Sequence, residues 1–140
     1  MNISYPACFY SDKKSYSVIF PDLNYLATDG KSLNEAMANA IDCLAGYLYI
    51  EELERKKVQA PSDIKSVDAK TIAKELGFEN DYQDSFVNYV SVDVGAYAKE
   101  HFEKAVKKTL TIPSWLNELG IRKNINFSKV LQDALIKTLL

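Results

Sequence analysis

The alternation of apolar and polar residues near the start of the chain predicts an antiparallel sheet. Residues 3–10 and 16–20 are short runs rich in aromatic and β-branched side chains, and the polar residues 11–14 between them suit a hairpin turn. Residues 86–94 alternate in the same way and are expected to add a further strand. Pro6 cannot donate a backbone hydrogen bond, so it belongs near a strand end or at a sheet edge.

A long helix is predicted to follow the hairpin and to cover one face of the sheet. Ser32–Glu35 matches a capping box. Apolar residues then recur at helical spacing until a charged run begins, so the helix should span about residues 32–56. Residues 24–28 are expected to form a third short strand before this helix, and residues 69–76 a second, shorter helix.

The last third of the chain predicts one strand and two helices. Apolar and polar residues alternate over Val106–Ile112, Pro113 then ends the strand, and apolar stripes of helical spacing follow in 114–119 and 127–139. Gly120 fits the end of the first of these helices. About 35 residues are too few to bury a core alone, because domains below roughly 40 residues usually need a metal, a disulfide or a partner. This unit is therefore expected to pair with a second copy of itself, strand against strand, and a two-stranded ribbon fits the DNA major groove.

Charge is distributed unevenly along the chain. Residues 99–140 carry eight basic and four acidic side chains, whereas residues 1–98 carry nine basic and fifteen acidic ones. A basic end suits a polyanion, and an acidic body suits a basic protein. For the body alone, ordinary charges on solvated faces are the preferred interpretation. In the tail the basic charge coincides with the predicted strand and two helices, so it is stronger evidence for binding to a polyanion.

Four motifs follow one another along the chain: Tyr16–Leu23 (Tyr-Ser-Val-Ile-Phe-Pro-Asp-Leu), Thr28–Gly30 ahead of the helix cap, Pro61–Asp63, and the late strand Val90–Val94. Their order and spacing resemble the HicB family of antitoxins. The tail resembles the ribbon-helix-helix domain that many HicB proteins carry. One departure lies at Asn24–Leu26, where family members often have Pro-Gly-Cys, and it leaves the local turn shape open.

The resemblance implies an α+β chain with two domains. Residues 1–94 would hold an antiparallel sheet packed on a long helix, similar to a reduced ribonuclease-H-like or ferredoxin-like fold. Residues 95–104 would be a short helical connector, and residues 105–140 a ribbon-helix-helix domain for dimerisation and DNA binding. The family implies a type II toxin–antitoxin pair, in which the N-terminal domain covers HicA, a small basic toxin that cleaves messenger RNA with a histidine. The C-terminal domain would bind the operator of its own operon and repress it.

The resemblance also assigns roles to residues of the tail. In ribbon-helix-helix proteins the outward face of the strand reads bases, and here that face holds Lys107, Thr109 and Thr111. The first turn of the last helix has free amides and the positive end of the helix dipole, which suit a phosphate. The residues expected at phosphates are Lys108, Asn126, Phe127, Ser128 and Lys129. The expected dimer core comprises Leu110, Ile112, Leu116, Val130, Leu131 and Leu135. Without the two helices, a solvated edge strand protected by lysine and threonine would explain the strand equally well.

Two rival functions stay open from sequence alone. A metal-dependent nuclease would use Asp12, Asp22, Asp29 and Asp93, but three of these lie in turns, where aspartate is common. The only histidine, His101, lies in a polar stretch, so no catalytic residue, metal or cofactor is predicted. The second rival is a ribbon-helix-helix repressor whose N-terminal domain senses a ligand or forms oligomers without a toxin partner.

The remaining features fit a cytoplasmic protein. Cys8 and Cys43 match neither a metal site nor a disulfide framework, so small buried thiols in a reducing compartment are expected. No membrane span and no secretion signal are visible. A homodimer through the C-terminal domain is predicted, and further association through the N-terminal sheet is left open.

Overall fold

A four-stranded antiparallel sheet organises the first part of the chain. The computed structural model describes residues 1–140, and the strands follow the spatial order β3-β2-β1-β4. The strands are β1 (Ile3–Ser11), β2 (Tyr16–Phe20), β3 (Leu26–Gly30) and β4 (Asp84–Val92). The predicted hairpin and late strand are confirmed. The third strand begins two residues later than predicted, because Asn24 and Tyr25 have φ values of 56° and 58°, in the left-handed region that a strand excludes.

The helix α1 (Leu33–Leu53) covers one face of this sheet. It begins where predicted, since the Ser32 hydroxyl accepts the backbone N–H of Glu35 at 3.1 Å. It ends before residue 56 because Arg55 adopts a left-handed φ of 55°. The buried helix residues that pack against β1, β2 and β4 are Ala36, Ala40, Leu44, Ala45 and Leu48. Small side chains at this interface let the helix approach the sheet closely.

The opposite face of the sheet is covered in part by α2 (Ala69–Leu76), whose bounds match the prediction. Cys8 and Tyr10 of β1 are buried with Ala73 in a second apolar cluster there. The Tyr10 hydroxyl donates a hydrogen bond to the carbonyl of Ala69 at 2.7 Å. The sheet and the helices on its two sides therefore form an α+β arrangement.

The helix α3 (Val94–His101) corrects the predicted domain organisation. The chain divides into two units after Lys104, so residues 95–104 belong to the first unit and are not a connector. The Tyr97 hydroxyl donates to Asp42 of α1 at 2.8 Å, and Ala98 is buried. Because these contacts dock α3 on α1, the helix is part of the N-terminal fold.

The second unit, residues 105–140, contains two helices, α4 (Ser114–Arg122) and α5 (Phe127–Leu139). Residues 105–113 have no regular secondary structure in the single chain. None of the helices in either unit is long and apolar enough to span a bilayer.

Candidate DNA and dimer interface

The second unit has almost no core of its own. Gly120 is its only buried residue, and Leu131 its only half-buried one. Large apolar side chains stand exposed instead, with Trp115 at 66%, Val130 at 52% and Leu135 at 47% of their full exposure. A chain segment this apolar needs another surface to cover it, because exposed apolar patches of this kind mark interaction sites.

The segment predicted to form the ribbon has its backbone free. Residues 105–112 make no backbone hydrogen bond within the chain, and the first bonds appear at Pro113, whose carbonyl accepts the N–H of Asn117 at 3.1 Å. A strand is held by hydrogen bonds to a neighbouring strand, so the strand predicted over 106–112 is absent from the single chain. Leu110 and Ile112 are 54% and 42% exposed. The two-stranded ribbon therefore stays a prediction that requires a second copy.

The residues assigned to base reading are all accessible. Lys107, Thr109 and Thr111 are exposed, as is Lys108, which was assigned to a phosphate. None of these four side chains makes a hydrogen bond or ion pair within the chain. These side chains are therefore free to contact an external ligand. Their orientation in the predicted ribbon would depend on pairing with a second copy.

Gly120 has a different role from the predicted one. Helix α4 continues through Gly120 to Arg122, so this glycine does not end the helix. A Cβ at this position would lie 2.5 Å from the ring of Phe127, which is closer than carbon atoms can approach. The glycine thus allows the ring to pack against α4. Phe127, predicted at a phosphate, uses its side chain for helix packing and can offer only its backbone N–H to an anion.

The first turn of α5 leaves backbone amides free, as the predicted phosphate site requires. The Asn126 side chain accepts the N–H of Lys129 at 3.1 Å, which confirms it as the N-cap. The amides of Phe127 and Ser128 have no partner. The ammonium of Lys129, a residue expected at a phosphate, lies 3.4 Å from Asp133, one turn along the helix. This exposed pair offsets the unfavourable dipole position of the lysine only slightly.

A buried carboxylate in the first unit explains two of the sequence motifs. Asp22 is 8% exposed and follows Pro21 in a short 3-10 helix. Its carboxylate accepts hydrogen bonds from the Ser62 N–H and hydroxyl, both at 2.7 Å, and from the Gln59 amide at 2.9 Å. The Phe-Pro-Asp-Leu motif and the Pro-Ser-Asp motif are therefore two sides of one hydrogen-bonded joint.

Two of the other three aspartates proposed for a nuclease have separate local partners, whereas the Asp29 side chain makes no hydrogen bond within the chain. Asp12 accepts the N–H groups of Lys14 and Ser15 in the hairpin turn, and Asp93 caps α3 and pairs with the chain's amino terminus. No three histidine, cysteine or acidic side chains lie together as metal ligands do. Burial raises the pKa of the Cys8 and Cys43 thiols, which opposes formation of a nucleophilic thiolate.

Comparison with known proteins places this architecture in a family. Residues 5–119 match the family model described as the HicB-like antitoxin of bacterial toxin–antitoxin systems. A chain of a toxin–antitoxin complex from Streptococcus pneumoniae is 34% identical over 99% of both chains, with a TM-score of 0.63. A chain of the HicA3 and HicB3 toxin–antitoxin complex is 18% identical, covers 65% of this chain and 99% of its own length, and shares the fold with a TM-score of 0.50. No match was found among curated protein sequences. The family model covers most of the protein, and the chain therefore belongs to the HicB-like antitoxins of bacterial toxin–antitoxin systems.

Proposed function

We propose that this antitoxin is a non-catalytic protein with two binding functions, one in each unit. The first unit masks a HicA-type toxin that cleaves messenger RNA. The second unit pairs with a second copy to form a ribbon-helix-helix domain, which binds operator DNA and represses the operon. The observation that carries the second function is the row of exposed apolar side chains in a unit that buries only Gly120.

Two observations support a toxin as the partner of the first unit. The Streptococcus pneumoniae chain that is 34% identical to this one comes from a toxin–antitoxin complex. The first unit, residues 1–104, carries eleven basic and seventeen acidic side chains. An acidic surface steers a small basic protein toward it and disfavours like-charged competitors.

The chemistry of the second unit supports DNA as its ligand. Its six basic side chains outnumber its two acidic ones. The exposed Lys107, Thr109 and Thr111 offer donors and a methyl group suited to base edges in the major groove. The unpartnered amides of Phe127 and Ser128 suit a backbone phosphate. Loss of a base-reading group and loss of a phosphate-binding group should change DNA binding in different ways. Two single substitutions distinguish these effects.

Thr109→Ala is expected to weaken operator binding by about 1–3 kcal/mol, or about 5–150-fold, because one base contact is lost. Binding to unrelated DNA should change little. The matched control is Thr138→Ala, whose hydroxyl donates only to the carbonyl of Ala134 within α5. Titration of both variants with operator and unrelated duplexes checks the prediction. Equal weakening on both duplexes would show that Thr109 does not read a base.

Lys129→Ala is expected to weaken binding to every DNA sequence by a similar factor. It should also reduce the slope of log K against log salt by about one, because one phosphate contact is lost. Lys137→Ala, in the last turn of the same helix, is the charge-matched control and should leave the slope unchanged. A salt slope that Lys129→Ala does not alter would place this lysine away from the phosphate backbone.

A further inference from the structure

Strands β2 and β3 have no covering element on the side of the sheet that carries α2. Helix α2 packs on β1 and β4, at the other half of this face. Ile19 of β2 points to the α2 side, because it is buried in the same apolar cluster as Ala73. Its register partner is Ala27, and strand alternation adds Ser17 and Asp29 to the same face. These last three residues are exposed, so an open groove runs beside α2 over β2 and β3.

Two adjoining cavities form this groove. The larger, of about 350 Å³, lies over Ile19 and Ala27. The smaller, of about 220 Å³, lies between the β1–β2 hairpin and the loop that follows α2. Ser17 and Phe78 line both cavities, so the two are continuous and one partner surface can cover them together.

Three aromatic rings line the smaller cavity. The Tyr10 ring meets those of Phe78 and Tyr82 edge-on, and the ring centroids lie 4.9 Å apart in both pairs. Phe78 and Tyr82 are half-buried, so part of each ring stays open to the cavity. The Gln83 N–H donates to the carbonyl of Ser11 at 2.8 Å and holds the loop against the end of β1. The rings are therefore already in place to attract a cation, such as an ammonium or guanidinium group.

The charged side chains that line the groove are all acidic. Asp12 and Asp81 line the smaller cavity, and Asp29 lines the larger one. Asp29 and Asp81 are exposed, and their carboxylates make no hydrogen bond or ion pair within the chain. Backbone N–H groups of the hairpin turn donate to Asp12 and lower the pKa of its carboxyl, so this group is ionised at neutral pH. Lys13 and Lys14 of the same turn are exposed and line neither cavity.

We propose that the toxin docks on this groove and inserts a lysine or arginine side chain into the smaller cavity, against Tyr82 and beside Asp81. This docking mode rests on the toxin-masking function proposed above. A HicA-type toxin is expected to be small and basic, so its charge complements the acidic lining. A cation in the cavity is partly shielded from water, which strengthens its attraction to the rings and the carboxylates. The apolar floor formed by Ile19 and Ala27 supplies contact area beside this charged anchor.

Charge reversal at Asp81 tests the docking surface. The probe is the purified toxin, obtained by co-expression with the reading frames that flank the gene, and its binding to full-length variants is measured by calorimetric titration. Asp81→Lys should raise the dissociation constant at least about 10-fold, because repulsion replaces attraction at the cavity. Asp81 is exposed in a loop, so the fold tolerates the change. Glu100→Lys, at an exposed position of α3, is the charge-matched control and should change the constant by less than about 3-fold.

Substitution of Tyr82 tests the aromatic part of the site. Tyr82→Leu should weaken toxin binding about 2–30-fold, because leucine offers no aromatic face to a cation. Tyr82→Phe keeps the ring and removes only a hydroxyl that has no partner within the chain, so it should bind as the wild type does. Circular dichroism of the free variants verifies that each one is folded.

The proposed docking is overturned if Asp81→Lys binds the toxin as tightly as the wild type, or if Glu100→Lys weakens binding equally. In the second case only the overall charge of the first unit would matter, and not this groove. Either result, obtained with a wild-type chain that silences the toxin, leaves the toxin-masking function intact and shows that the toxin uses another surface. A wild-type chain that neither binds nor silences an RNA-cleaving protein would contradict the toxin-masking function itself, and the docking mode with it.

Discussion

Leu110→Asp is expected to separate the dimer formed by the second unit and to abolish operator binding. Leu110 is 54% exposed in the single chain and lies in the segment predicted to form the ribbon. Dimerisation would bury this position, and an unpaired buried carboxylate costs about 3–5 kcal/mol. The dissociation constant of this dimer should therefore rise at least about 100-fold. DNA binding should be lost with it, because one strand alone forms no ribbon to enter the major groove.

A neighbouring position supplies the matched control for Leu110→Asp. Thr109→Asp introduces the same charge one residue earlier, on the predicted outward face of the strand. It should weaken DNA binding by repelling phosphates but should leave the dimer intact. Chemical crosslinking within residues 105–140, together with operator titration, distinguishes the two variants. If Leu110→Asp keeps the dimer, or if Thr109→Asp disrupts it, the assignment of the two strand faces is reversed or the ribbon is absent.

Asp22→Ala is expected to lower the free energy of unfolding of the first unit by about 2–4 kcal/mol. The carboxylate accepts three hydrogen bonds from Ser62 and Gln59 in a site that is largely shielded from water. Hydrogen bonds to a charged group are stronger than average, and their loss leaves the Ser62 N–H without a partner. The segment around residues 59–62 would lose its hydrogen bonds to Asp22, and Tm should fall by about 10–30 °C.

Asp29→Ala is the control for the loss of a carboxylate. Asp29 is exposed, and its side chain makes no hydrogen bond within the chain. Its removal should change the free energy of unfolding by less than about 0.5 kcal/mol. Urea denaturation of both variants, followed by circular dichroism, gives the comparison. Equal stabilities of the two variants would show that the joint at Asp22 does not hold the fold together.

The elements that were predictable from sequence are those with local signals. The capping residue Ser32 and the apolar stripe behind it located the start and face of α1, and the left-handed Gly77 marked the end of α2. The alternating strands were equally clear, because one buried face imposes a period of two on the sequence. The family could also be recognised from sequence, because the resemblance depends only on the order and spacing of short motifs.

The features that sequence did not predict depend on contacts between distant residues. The joint between Asp22 and Ser62 spans forty positions, and no local pattern relates them. Residues 95–104 looked like a short helical connector, because the contacts that dock α3 on α1, such as Tyr97 with Asp42 and Phe102 with Tyr49, join residues about fifty positions apart. Gly120 was interpreted as a helix end because glycine is common there. Its role in making room for the Phe127 ring depends on a contact that the sequence does not show.

The strand predicted for the ribbon is not formed in the single chain. A strand of residues 106–112 exists only when a second strand accepts its hydrogen bonds, so one chain leaves this segment without regular structure. Large apolar side chains around this segment are exposed in the single chain, as the proposed pairing with a second copy requires. The phosphate contact of Lys129 stays a prediction, and in the single chain its ammonium lies 3.4 Å from Asp133 of the same helix.

The most direct measurement is an RNA cleavage assay on the proteins that co-purify with this chain. The tagged full-length protein is expressed with the reading frames that flank its gene, and each captured partner is assayed for cleavage with and without the antitoxin. We predict a small basic protein that cleaves RNA alone and is silenced by both the wild-type chain and Leu110→Asp, while only the wild type binds the operator. If no RNA-cleaving partner is captured and operator DNA alone is retained, the toxin-masking function is wrong, and the chain is a repressor whose first unit serves another purpose.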